Sequence, residues 1–306
     1  MNQKTAGSTP RKTHDGASRL ILAVVVLLVG WLVYPLFDEL VHYWQSDQET
    51  THGFLIPLIS LYLLWSSRER LSALLADSSR SYSPLDGVVL VGALGLFLYA
   101  KFTEMTLIQG LALLVLLGAT VKFLYGNEVF KVALVPIGFL VFMLPIPFPI
   151  YYAMADPLKG IVAQISTATV SFLGADARLV GNTIHMDSIP LQLHVHETCS
   201  GIRTILSFLA LGILVAILFL ESFAQRALLV TFAIVMAFVV NVVRVTLIAV
   251  LAFFVSPDVG LDFHSHGWIL VTPVGIISTI VFGEYLRCRS NKTTTPQVVE
   301  STGSEV

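Results

Sequence analysis

Charge is what this chain has least of: Lys, Arg, Asp and Glu together supply only 12% of its 306 residues, against 55% that are apolar. Soluble domains carry about 25% charged residues, so the composition excludes an ordinary soluble fold and points to a protein solvated by a bilayer. Basic residues are no richer than acidic ones. Eighteen Lys and Arg against twenty Asp and Glu leave a net charge of −2, which offers no positive field and makes nucleic acid an unsuitable partner. Cysteine is nearly missing, with two in the whole chain, so a disulfide framework is excluded. There is no His-Glu-x-x-His pair and no internal repeat.

What is present is long apolar runs of the length that crosses a bilayer as helix, about 20 residues. They fall at 20–37, 54–65, 85–102, 105–125, 130–146, 201–220, 227–255 and 268–286, with 54–65 the shortest. The reading is an all-α polytopic bundle of about eight transmembrane helices with a small extracytoplasmic loop region. Lys and Arg in short loops stay on the cytoplasmic side. Lys4, Arg11, Lys12 and Arg19, then Arg68, Arg70 and Arg80, then Lys122 and Lys131, then Arg226, and finally Arg287, Arg289 and Lys292 all share one side if both termini are cytoplasmic. The Arg-Lys pair before the first run resembles a secretory signal. Its length and the lack of a small-x-small site favour an uncleaved anchor.

The segment 147–198 must then begin and end outside. Its helical part at 157–174 carries Lys159, Gln164, Ser166, Thr167, Thr169 and Ser171, too many polar groups for a lipid-surrounded span, so a re-entrant or amphipathic helix is expected. Residues 175–195 read as an outer loop with short strands, 189–195 alternating in polarity. The polar ends, 1–18 and 289–306, read as disordered cytoplasmic tails around one transmembrane domain at 19–288, with no other domain boundary.

One cysteine stands out against this background. In His196-Glu197-Thr198-Cys199-Ser200-Gly201-Ile202-Arg203, a thiol sits among polar residues where the sixth run begins. On this topology it faces an oxidising compartment with no partner, since Cys288 lies inside. The amides of a first helical turn stabilise a thiolate, so Cys199 is a candidate nucleophile and Cys288 is not. Arg244 is the second anomaly, an arginine deep in an apolar run, a placement that costs roughly 2.5–3.5 kcal/mol and calls for a polar cavity. Asn241 shares its helix face. A structural pairing with Glu197 would explain it blandly; a guanidinium that holds a thiolate or oxyanion explains it chemically. Arg203, four residues after Cys199, is a rival nearer the interface. Third, His264-Ser265-His266-Gly267-Trp268 puts imidazole on the same side, a group that can take the thiol proton and return it to a leaving amine.

These pieces, with Thr51-His52-Gly53-Phe54-Leu55-Ile56-Pro57-Leu58-Ile59, are similar in order and type to the exosortase/archaeosortase family of multispanning cysteine transpeptidases, over residues 51–286. The resemblance implies Cys199 as nucleophile, Arg244 as the family's arginine and His264 as its histidine. His266 is kept as an alternative because the spacing to Gly-Trp is shorter than in the family, and Thr198 replaces a common alanine. It further implies no cofactor, and a substrate anchored in the membrane by a carboxy-terminal sorting signal: a PEP-CTERM-like motif, an apolar helix and a basic tail. The processed protein passes to a glycan or lipid acceptor, or to water. The expected setting is a bacterial inner membrane with the active site on the extracytoplasmic side. His52 is expected near the substrate's way in, or as an interfacial cap.

Two other classes remain. His185, His194, His196 and Cys199 include ligand types suited to zinc, which would make a metal-dependent hydrolase. A transporter would explain the spans and Arg244 as a pathway charge, but gives no reason for the outer thiol.

Overall fold

Apolar runs dictate most of the helices. The computed structural model describes residues 14–46, 48–76, 83–189, 191–194 and 200–294. Among them are eleven α-helices: α1 His14–Ser46, α2 Leu55–Ser66, α3 Arg68–Ala76, α4 Pro84–Lys101, α5 Thr106–Tyr125, α6 Asn127–Phe139, α7 Phe148–Phe172, α8 Ile202–Phe219, α9 Phe223–Phe254, α10 Pro257–His266 and α11 Trp268–Thr294. Two starts are capped by serine ahead of proline. Ser83 accepts from the Leu85 amide ahead of Pro84, and Ser256 accepts from the Val259 amide ahead of Pro257.

This is an all-α polytopic membrane bundle. Among the described residues, helices α4, α5, α8, α9 and the stretch Trp268–Arg289 of α11 are each long and apolar enough to cross a bilayer, and a sixth span results if Asn127–Met143 and Phe148–Phe172 count as one broken span. The expected eight exceed this count. Helix α2 shows one reason: its 12 residues reach about 18 Å at 1.5 Å per residue, short of the apolar thickness of about 30 Å. The first run, 20–37, lies inside α1. Helices α1 and α11 extend past the expected edges at 19 and 288, to His14 and Thr294.

The chain packs as two units, Met1–Pro145 and Ile146–Val306. In the first, Leu36, Leu40 and Trp44 of α1 meet Phe97 and Ala100 of α4, Ala112 and Leu114 of α5, and Leu144. The Trp44 indole N–H donates to the Met143 carbonyl at 2.9 Å, which satisfies its one polar atom within the core. Gly53 lies directly beneath that ring: a Cβ there would collide with Trp44 Cδ1 and Nε1. Ser60 Oγ donates to the Pro136 carbonyl at 2.8 Å in a buried contact between α2 and α6.

In the second unit, α7 buries Tyr151, Ala155, Lys159, Val162, Ala163, Ser166, Thr167 and Val170, a stripe at helical spacing. Several of its polar groups find partners within α7, on α9 or in the segment that follows. Lys159 pairs with Asp156 at 2.7 Å, Thr167 Oγ1 donates to the Ala163 carbonyl, Ser166 Oγ accepts from Thr246 of α9, and Ser171 Oγ donates to the Ala177 carbonyl. After α7 comes an antiparallel meander, β1 Ala177–Val180, β2 Thr183–Met186 and β3 Leu191–His194, in order β1-β2-β3. Its inner face is set by period-2 alternation: Ile184 packs with Val162, Ala163 and Val245, and Met186 with Val170, Ala249 and Ala252. The small loop region expected between the fifth and sixth runs is therefore a sheet seated on α7 and α9.

Candidate functional site

Helix α8 begins at Ile202, three residues after the candidate nucleophile. Cys199, Glu197 and His196 lie outside the described residues, so the geometry of the site begins at Ser200. Ser200 is fully buried and Ile202 nearly so, and the Ile202 amide donates to Ser200 Oγ at 3.4 Å. Between them Gly201 occupies the left-handed region, φ 80° and ψ 0°, where a side chain would be strained and glycine is the default residue. A Cβ at this position would lie 2.7 Å from both Cγ and Nδ2 of Asn241. The turn that comes directly after Cys199 is thus pressed onto α9.

Three residues further along α9 comes Arg244, half-buried, whose Nη2 donates to the backbone carbonyl of His264 at 3.2 Å. That carbonyl is one of the last four of α10, a group with no partner inside its own helix. A guanidinium suits such an end because the helix dipole is negative there. His264 is half-buried beside it. His266, two residues on, is exposed and leans back to Asp262, its Nδ1 3.3 Å from both the backbone oxygen and Oδ1 of that residue. The two histidines between which the sequence does not decide thus differ in setting. Next to the Arg244–His264 contact, Val240, Val243 and Leu247 of α9, Phe263 of α10 and Leu270 of α11 line an apolar cleft of about 350 Å³.

Arg203 is directed elsewhere. Its guanidinium lies 5.1 Å from the ring centroid of Tyr151 on α7, and Tyr151 packs with Ala155 and Ile202. Sequence reasoning misses Tyr151, since a cation–π partner more than fifty residues away leaves no local pattern. It reads Ser200 and Gly201 as leaving the amides of the first turn open, but not the positive φ that Ser-Gly ahead of an apolar helix signals. His52 sits half-buried in the 3₁₀ turn Gln48–Phe54 of the first unit, beside Gly53. His185 is half-buried in β2 between Arg178 and Gln192, and His194 ends β3. Among the described residues no three His, Cys, Asp or Glu side chains are grouped to hold a metal. Cys288 is exposed near the end of α11.

Arginine, histidine and the turn after the cysteine therefore gather on α8, α9 and α10 of one unit, an arrangement that can hold developing negative charge next to an imidazole. No curated protein and no solved structure matches the chain. The family model described as transmembrane exosortase matches residues 44–283, a range that takes in α2 to α10, the sheet and every candidate residue of this site. The chain belongs to the transmembrane exosortase family, a family of membrane transpeptidases.

Proposed function

We propose that this chain is a cysteine transpeptidase of the bacterial inner membrane that removes a carboxy-terminal sorting signal from exported proteins at the extracytoplasmic face. Family membership supports the reaction class. The observation that carries the residue assignment is the 3.2 Å contact between Arg244 Nη2 and the His264 carbonyl, with Asn241, on the same face of α9, against Gly201.

The chemistry runs in two halves. His264 takes the proton of Cys199, and the sulfur bonds to the carbonyl carbon of a peptide just outside the membrane. Arg244 stabilises the thiolate and the oxyanion, a contribution of about 2.7–4 kcal/mol for a single donor. The C–N bond then breaks, the proton passes from His264 to the leaving amine, and the substrate's apolar helix departs with its basic tail. A thioester remains. An amine or hydroxyl of a glycan or lipid acceptor, or water, attacks that carbonyl and returns the thiol. Confinement of both partners to the bilayer fixes the depth of the scissile bond and replaces part of the entropy cost of alignment.

Cys199→Ala and Cys199→Ser test the reading when co-expressed with a protein bearing an apolar carboxy-terminal helix and basic tail, scored by release of that segment on a gel. No release at unchanged membrane levels is expected, with Cys288→Ser behaving as the parent. Undiminished release from Cys199→Ala overturns it.

A further inference from the structure

Asn241 joins the start of α8 to the helix carrying Arg244 at backbone range. It is 1% exposed, within a buried face of α9 otherwise made of Ala237, Val240, Val245 and Ile248. Filling that space requires no polar group. A buried carboxamide is harder to desolvate than an aliphatic side chain, so an amide here needs a reason other than packing. Its neighbour supplies one. Cγ and Nδ2 of Asn241 lie 2.7 Å, and its Cβ 3.0 Å, from where Gly201 would carry a side chain. The carboxamide therefore rests on the bare Cα of a residue held at φ 80°. On either side Ser200 is 0% and Ile202 2% exposed, so this turn is held by protein rather than solvated.

We infer that Asn241 is a positioning residue for the nucleophile: its carboxamide sets the backbone of residues 200–201 against α9, and so sets the thiol two residues before Gly201 relative to the guanidinium three residues after Asn241. The inference rests on the thiol mechanism proposed for this chain and adds a positioning residue to it. It gives Gly201 a double reason, the positive φ and the close approach of the amide. It also explains why Asn241 and Arg244 share one face of α9. One holds the turn at residues 200–201, the other brings a guanidinium to the same face.

The test uses the full-length chain in membranes, in a Cys288→Ser background so that a maleimide reads Cys199 alone. Asn241→Ala removes the carboxamide, and Asn241→Val refills much of its volume without polar atoms. The expected result for both is a fall in kcat of about 100-fold, the scale of a misplacement of about 1 Å, with KM unchanged. The pH midpoint of Cys199 alkylation is expected to move while thermal unfolding of Asn241→Val stays close to the parent. A packing role alone does not move that midpoint. Where Asn241→Ala fails to accumulate, Asn241→Val carries the test, with Asn241→Ser as the smallest polar change in reserve. Parental rate and parental alkylation midpoint in any accumulating variant overturn the inference. Cys199→Ala run in parallel separates the two levels: loss of release there with none in Asn241→Val rejects the positioning role alone, and retained release in Cys199→Ala rejects the thiol mechanism itself.

Discussion

Arg244 and His264 are joined through the guanidinium and the backbone carbonyl, Nη2 to O at 3.2 Å. That contact caps the end of α10, and in the proposed mechanism the same guanidinium answers the charge that forms in the reaction. Lysine has no planar fork and puts its donors at a single point. Arg244→Lys is therefore expected to reach the membrane at parental levels but to process substrate about 100- to 1,000-fold more slowly, in line with about 2.7–4 kcal/mol for one lost donor. Arg244→Ala is expected to lose the same activity and, in addition, stability, because the α10 carbonyl loses its donor. Equal rates for Arg, Lys and Ala would reduce the residue to a structural one.

How much of this is legible in the sequence differs by element. The apolar runs mark the helices directly, because a membrane imposes length and hydropathy on each span. Polar residues at 159–171 set α7 apart from a simple lipid-facing span, and Lys159, Ser166 and Thr167 are buried against protein. Arg244 is conspicuous because an apolar neighbourhood makes a charge expensive. Contacts between distant helices, such as Gly201 with Asn241, depend on helix placement, which no local pattern carries. The same holds for Trp44 above Gly53.

The two histidines of the His-Ser-His segment are expected to separate cleanly. His264 is half-buried beside Arg244, whereas His266 is exposed and turned to Asp262. His264→Ala is expected to lower release by at least about 100-fold, the lower range for general acid–base catalysis. His266→Ala should stay within about twofold of the parent, as exposed ion pairs contribute about 0–1 kcal/mol. Loss with His266→Ala and none with His264→Ala would reverse the assignment; loss with neither would remove histidine from the mechanism.

Gly53 belongs to a motif that carries the family likeness, yet its surroundings point to packing. A methyl group there would collide with Trp44 Cδ1 and Nε1, and the ring is itself fixed by its bond to the Met143 carbonyl and by edge contacts with Phe37 and Phe54. Gly53→Ala is expected to destabilise the first unit by about 1–3 kcal/mol, the usual cost of overpacking, seen as a lower unfolding temperature and lower membrane level. Adding Trp44→Leu should recover part of that loss by vacating the space. If Gly53→Ala instead keeps parental stability and loses only processing, the motif acts in the reaction rather than in the fold.

Arg203 competes with Arg244 for the catalytic part, and Tyr151 offers a way to tell them apart. The Arg203 guanidinium stands 5.1 Å from the Tyr151 centroid, and a half-buried cation–π contact is worth about 0.5–2 kcal/mol. If that contact with α7 is the main use of Arg203, then Tyr151→Leu and Arg203→Gln each reduce stability and the double variant loses less than their sum, because the second change removes a contact already gone. Tyr151→Phe, which keeps the ring face, should be near neutral for this contact. Processing per folded molecule should then fall far less for Arg203→Lys than for Arg244→Lys. Additive stability losses, or an Arg203→Lys variant as inactive as Arg244→Lys, would shift the oxyanion role toward the arginine on α8.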